Sequence, residues 1–288
     1  MTDLSRYRVD KQRVRATFDR AAPSYDEAAV LQKEVCSRLL ERLAWIRLQP
    51  SRVLDAGTGT GQGLRGLRRR YRGARAVGLD LSPSMLRQAG KGGGWWRKPG
   101  LVCADVEALP FADAGFDLIF SSLTIQWCND LDRTFAGFRR VLAPGGLLMF
   151  TTLGPDTLHE LRSAWEAVDG HAHVNAFLDM HDVGDALVRA GFADPVMDVD
   201  RITVTYPGMR RLMRDLQAIG ATNALLGRGR GLTTPSRLRA AEAAYESFRN
   251  AEGVLPATYE VIYGHAWVTA VPAPSPMPER GVIPIARG

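Results

Sequence analysis

The chain is poor in the residues that would make it extracellular, membrane-spanning or metal-stapled. Only three cysteines, Cys36, Cys103 and Cys128, occur in 288 residues. They are far apart and odd in number, which excludes a disulfide framework, and the lack of a CxxC pair gives no sign of a zinc site. No metal ligand set is expected, and free thiols of a reducing cytoplasm are the plain reading. No run of about 18 apolar residues exists, which excludes a membrane-spanning helix. Met1 to Asp10 is polar and lacks the apolar stretch of a secretion signal, so a cytoplasmic location is expected. Lysine is scarce as well: of the 37 basic residues four are lysine (Lys11, Lys33, Lys91 and Lys98) and 33 arginine, a bias that genome composition can produce unaided. The net charge of +6 favours an acidic partner through long-range attraction. It comes without a helix-turn-helix, zinc-finger or RNA-recognition pattern, so nucleic acid is not an expected partner.

What is present is ordinary globular material, 45% hydrophobic and 24% charged, long enough for one large domain or one domain with a small cap. Residues 9–48 read as helical: Val14, Phe18, Ala21 and Ala22 recur at helical spacing, Pro23 interrupts, and Leu39, Leu40, Leu43 and Ile46 resume the pattern. From Arg52 the chain repeats strand, turn and helix. Strands are expected at Val53–Ala56, Ala76–Asp80, Leu101–Ala104, Phe116–Phe120 and Leu147–Thr152. Helices follow around Leu64–Tyr71, after Ser82-Pro83-Ser84, and over 131–142, where Pro144-Gly145-Gly146 stops the last. Such alternation builds a parallel sheet with right-handed crossovers. Farther on, helices are expected near 156–168, 179–190, 207–219 and 236–249. Strands are expected at 196–206 and 257–270, the last suited to an edge or penultimate position. After Val271 the proline-rich tail, 271–288, reads as flexible.

Chemistry is concentrated at strand ends. Asp55-Ala56-Gly57-Thr58-Gly59-Thr60-Gly61 closes the first strand and opens a helix, and glycines there let backbone approach a ligand. An aspartate two residues ahead of the first glycine suits a cationic, amino-acid-bearing ligand better than a pyrophosphate. Asp80 ends the second strand, where an acid can accept both ribose hydroxyls, and Asp105 follows the third, where it can take an adenine amino hydrogen. Three acids at successive strand ends converge on the crevice where open α/β sheets bind ligands.

As a set these features resemble the class I methyltransferases over residues 50–153, with Thr58 where many members carry cysteine. The resemblance implies an α/β, Rossmann-like fold with a mostly parallel seven-stranded sheet and S-adenosyl-L-methionine as cofactor. It adds Leu81, Met85, Val106 and Ser121 as cofactor contacts, with Phe111 a further apolar candidate. Segments outside the sheet narrow the family. Val14 to Asp26, Gln126 to Leu131, Gly154 to Leu161, His173-Val174-Asn175, Asp179 to Asp182 and Pro256 to Glu260 are similar to the malonyl-acyl-carrier-protein O-methyltransferases of biotin synthesis, over about residues 9–270. That resemblance implies an N-terminal helical lid over 1–50, a methyltransferase domain over 51–270 with helical insertions near 154–182 and 207–250, and malonyl-acyl carrier protein as partner. Tyr25 is then expected to close over the cofactor and orient the acceptor, with Gln126, Trp127, Asp156 and His159 as acceptor contacts. For Tyr25, Trp127, Asp156 and His159 the respective alternatives are a core tyrosine, a core tryptophan, an N-cap aspartate and a solvated histidine.

The implied chemistry fits what the chain lacks. A malonyl carboxylate is ionised near neutral pH, so no general base is required, and no nucleophile–base pair stands out. A cation should meet that carboxylate. Arg210, Arg211 and Arg214, or Arg228, Arg230, Arg237 and Arg239, are candidates for greeting the carrier or simply solvate helix faces. Two other functions remain open at this level: methyl transfer to another small acceptor, and an assembly factor or hydroxylase like the methyltransferase-like factor of complex I, similar around Tyr206 to Met209 and Met213 to Gln217.

Overall fold

Apolar runs such as Val53-Leu54 and Leu118-Ile119 cannot be satisfied by one covered face, because alternate side chains leave a strand on opposite sides. In the computed structural model, which describes residues 8–91, 98–226 and 233–269, both faces are covered. Val53, Leu118 and Leu147 enter one core with helical residues such as Leu39, Leu67 and Trp165. Their neighbours Leu54, Ile119 and Leu148 enter a second core with Phe135, Phe138 and Leu187. Among the described residues no helix is long and apolar enough to cross a membrane.

The first half contains α1 (Lys11–Ala21), α2 (Tyr25–Ala28), α3 (Val30–Arg42), β1 (Arg52–Ala56), α4 (Gln62–Arg70), β2 (Arg75–Asp80), α5 (Pro83–Lys91), β3 (Gly100–Cys103), β4 (Phe116–Ser121) and α6 (Leu131–Val141). The second contains β5 (Leu142–Leu153), α7 (His159–Glu166), α8 (Met180–Arg189), β6 (Ala193–Tyr206), α9 (Met209–Ala218), α10 (Pro235–Tyr245) and β7 (Leu255–Trp267). The seven strands lie in the order β3-β2-β1-β4-β5-β7-β6. β1 pairs in parallel with both β2 and β4, so chain direction across the sheet reverses at that junction and opens a crevice at the strands' carboxyl ends. β7 runs antiparallel to β5 and β6 in the penultimate place, one of the two positions expected for it.

Of the boundaries that differ from expectation, two have a clear local cause. β5 begins at Leu142 because Pro144-Gly145-Gly146 continues as an irregular strand: Leu142 pairs with Phe116, the register shifts, and the Gly145 N–H donates to Val268 O (2.8 Å). α7 starts three residues late because Leu158 adopts φ +55° and the preceding turn is held by β7, with the Gly154 N–H donating to Glu260 O (2.9 Å). The expected tail at 271–288, with Arg228 and Arg230, lies outside the described residues.

Candidate active site

The β1–α4 turn is built backbone first. Gly57, Gly59 and Gly61 all have positive φ, a region glycine enters without steric cost. At Gly57 an added Cβ would also fall 1.9 Å from Thr124 Oγ1, so the turn and the loop after β4 approach too closely for any side chain. The Gly57 and Thr58 N–H groups both donate to Leu79 O (2.8 and 2.9 Å), which pins the turn to β2. Gly61 supplies the left-handed start of α4 and stands outside the cavity wall, whereas Gly57 and Gly59 line it.

Asp55, Asp80 and Asp105 line the same cavity. Asp80 accepts the Gly59 N–H at Oδ2 and the Ser82 N–H at Oδ1, each at 2.8 Å. Burial nevertheless dominates and lifts its pKa to about 6. Asp55 is 2% exposed and accepts the Thr58 hydroxyl at 2.7 Å; burial again outweighs this and lifts it to about 7. Such carboxylates hold protons more tightly than usual until a positive charge arrives. Asp105 already has a cation: Lys11 Nζ reaches its Oδ1 at 2.9 Å and also contacts Glu107. Burial opposes the charge on Lys11, but Cys128, Glu107 and Asp105 together more than offset it and keep its pKa above the ordinary lysine value. Leu81, Met85 and Val106 supply apolar wall.

Helices α1–α3 cover this cavity. The Thr60 hydroxyl donates to Asp26 (2.7 Å), tying the lid to the glycine turn. Asp19 accepts the Ser82 hydroxyl (2.7 Å) and the Ser84 N–H (3.0 Å), tying α1 to the start of α5. Tyr25 opens α2, and burial, then Asp80 and Asp26, push its phenol well above the usual value, so it stays neutral. A second cavity adjoins the first, and Phe18, Tyr25, Gln32, Leu123 and Trp127 line both. Phe18 meets Trp127 edge to face at 5.4 Å. Gln126 belongs to the second cavity alone; its Nε2 donates to Leu123 O (2.8 Å), while its buried Oε1 has no partner. The site is therefore two abutting chambers, one acid-lined and one largely apolar, with a neutral phenol between them.

Residues 54–150 match the methyltransferase domain family. The chain is 58% identical over 267 residues to the malonyl-acyl-carrier-protein O-methyltransferase of Laribacter hongkongensis, covering 90% of each chain. It is 51% identical over 275 residues to that of Gallionella capsiferriformans, covering 93% and 94%. It belongs to the malonyl-acyl-carrier-protein O-methyltransferase family. In shape it is similar to phosphoethanolamine N-methyltransferase 2 of Haemonchus contortus, solved in complex with S-adenosyl-L-methionine, at 19% identity and TM-score 0.52, covering 87% of this chain and 57% of that one. At that distance the likeness speaks for the fold alone.

Several residues singled out in the sequence stand away from both chambers. Ser121 is fully buried with its hydroxyl donating to Ala56 O (2.9 Å), which turns it into the sheet; Ser122 is the serine on the wall. Asp156 is neither a chamber residue nor the cap of α7: it pairs with Arg201 at 2.6 Å on the surface. His159 is half-exposed on α7, its Nδ1 3.2 Å from Asp156 O and its ring edge-on to Phe248. Phe111 packs on Phe116 at 5.0 Å, outside the cavity. Arg210 of α9 pairs with Glu242 of α10, and Arg211 with Asp215 of its own helix, so both are already matched with acids. Conversely, sequence reasoning gave no site role to Lys11, Asp19, Asp26 or Gln32, although the last three lie in the lid segment that carried the resemblance. Lys11 carried a local signal of its own, a lysine in a chain that mostly uses arginine.

Proposed function

We propose that this enzyme transfers a methyl group from S-adenosyl-L-methionine to the free carboxylate of a malonyl group borne by acyl carrier protein, giving the malonyl methyl ester used in biotin synthesis. The observation that carries the reading is the pair of joined chambers meeting at Tyr25. The relatives' activity agrees with it, and nothing favours the assembly-factor alternative.

The acid-lined chamber fits the cofactor: its buried carboxylates call for a cation and for hydroxyl donors, and the glycine turn leaves room for close approach. Asp80 would hold the ribose hydroxyls, Asp55 the amino-acid end, and Asp105 the adenine amino group, with Leu81, Met85 and Val106 against the base. When bound, the cofactor supplies an electrophilic methyl group on a positively charged sulfur.

The chain's own part is alignment and water exclusion. The acceptor carboxylate is ionised at neutral pH and needs no base. Accordingly Tyr25, neutral and half-buried, serves to orient rather than to abstract a proton, and Gln126 and Trp127 shape the acceptor chamber. Holding two reactants in line removes much of the entropy cost of their meeting. Opposite charges disappear during the transfer, so a dry site under α1–α3 favours it. This gives residues 1–50 the role of a lid on the 51–270 domain. The net charge of +6, with the 154–182 and 207–250 insertions at the acceptor chamber, suits an acidic carrier.

Mass spectrometry of malonyl-acyl carrier protein after incubation with enzyme and S-adenosyl-L-methionine should find one added methyl group, removed by mild ester hydrolysis. Free malonate should be a far poorer acceptor. Methylation of malonate but not of the carrier would overturn the reading.

A further inference from the structure

A carboxylate drawn into an apolar chamber needs a positive partner or several donors, since burying it bare is costly. Yet among the described residues no arginine or lysine lines the acceptor chamber. Gln32, Gln126, Asn175 and Asn223 are neutral amides, and Thr157, Tyr25 and Tyr259 are neutral hydroxyls. One side chain on that wall can carry positive charge, His173.

We infer that His173, oriented by Asp169, is the residue that receives the acceptor's carboxylate and so selects an anionic acyl group. The inference rests on the malonyl reading above. His173 sits in the loop between α7 and α8 but is held from two sides. Its ring stacks on Trp165 with centroids 3.9 Å apart and planes 11° from parallel. Its Nε2 lies 2.8 Å from Asp169 Oδ1. Asp169 is itself anchored, accepting the His171 N–H at 3.0 Å and standing 3.7 Å from Arg237. Burial would raise the Asp169 pKa, but hydrogen bonds from the His171 N–H and from His173 outweigh it and hold the carboxyl below its usual value. An ionised carboxylate only accepts, so Nε2 is the donor.

That leaves Nδ1 as the ring's remaining polar atom, and no described residue is hydrogen-bonded to it. An acceptor carboxylate taking a hydrogen bond from Nδ1–H would place the ring between two anions, with both ring nitrogens donating charge-assisted bonds. The supporting loop is braced against the segment after α9: Asn175 Oδ1 accepts the Ala224 N–H (3.2 Å), and Asn223 donates to Ala172 O. The Arg237 candidate from the sequence thus enters one step back, beside Asp169 rather than on the chamber wall.

The test is binding of malonyl- and acetyl-loaded carrier protein to the full chain saturated with S-adenosylhomocysteine, which permits no turnover. The wild-type protein should prefer the malonyl form by about tenfold or more. His173→Gln should abolish that preference and raise KM for the malonyl carrier, with affinity for S-adenosylhomocysteine unchanged. Asp169→Asn, which keeps the ring and its stacking partner, should reduce the preference and decides the matter if His173→Gln does not fold. Retention of the full malonyl preference in the folded variants overturns the inference, as does an equal loss of both carriers, which marks a structural role only. If the wild-type enzyme does not methylate the malonyl carrier at all, the parent reading fails first, and that result is distinct from either.

Discussion

Asp55 and Asp80 are carboxyl groups whose chemistry is strongly altered by their position. Folded values of about 7 and about 6 exceed the ordinary carboxyl value near 4, so both groups bind protons more tightly in the folded protein than in the unfolded chain. Their linked contribution to stability is full below about pH 4 and is lost as pH rises through about 6 to 7. A sulfonium cofactor with its ammonium group reverses that preference by favouring the ionised forms. Calorimetry near pH 6.5 in buffers of different ionisation enthalpy should therefore show proton release on cofactor uptake. Asp80→Asn should shrink the release and weaken binding about tenfold or more, the worth of a lost charge-assisted hydrogen bond. Binding heats that are identical across the buffers would contradict the assignment.

At the scale of elements, α3 anchors the lid in the main core through Leu31, Val35 and Leu39, whereas α1 and α2 are held by polar ties and a small apolar contact. Only Val14 and Ala21 of α1 are fully buried; Val9, Val14, Ala224 and Leu225 form a small separate core with Phe18, Leu81 and Trp127 packed against it. The remaining grip comes from Lys11 on Asp105 and Glu107, Asp19 on the start of α5, and Asp26 on Thr60. Lys11→Met keeps the apolar stem but leaves two partly buried acids facing each other without a cation. It should cost about 1–3 kcal/mol and show as faster proteolysis of the segment before Val30, with the sheet domain intact. Unchanged cleavage would assign the lid's attachment to its small core instead.

Across the whole molecule, the antiparallel β6–β7 pair joins the parallel half along the ladder between β5 and β7, and one position in that ladder is packed too closely to accept a side chain. Gly264 of β7 pairs with Phe150 of β5, and a Cβ there would fall 2.3 Å from Phe150 Cζ, an atom of a fully buried ring. Gly264→Ala should destabilise the protein by about 1–3 kcal/mol in urea unfolding, as overpacking does. Phe150→Leu in the same chain should return part of that loss, because residues in contact do not act additively. Arg38 and Arg42 of α3 reach Asp200 and Asp198 of β6 from the other side, but these exposed pairs are worth little by comparison.

The sequence by itself determined the alternating strands and helices, the glycine turn and the acids at Asp55, Asp80 and Asp105. Periodicity, turn chemistry and strand-end position are local properties, read within a few residues of where they act. Of the residues it singled out, Tyr25 and Trp127 line the chambers, whereas Ser121, Asp156 and His159 do not. Position after a strand does not say whether a side chain faces the crevice, the sheet or solvent, and a one-residue step reverses the answer. Only the tertiary structure decided that Phe18, Tyr25, Trp127 and His173 wall adjoining chambers, and that Lys11 reaches Asp105. Those walls are assembled from segments scores of residues apart, whose meeting is set by how two layers of helices pack on one twisted sheet.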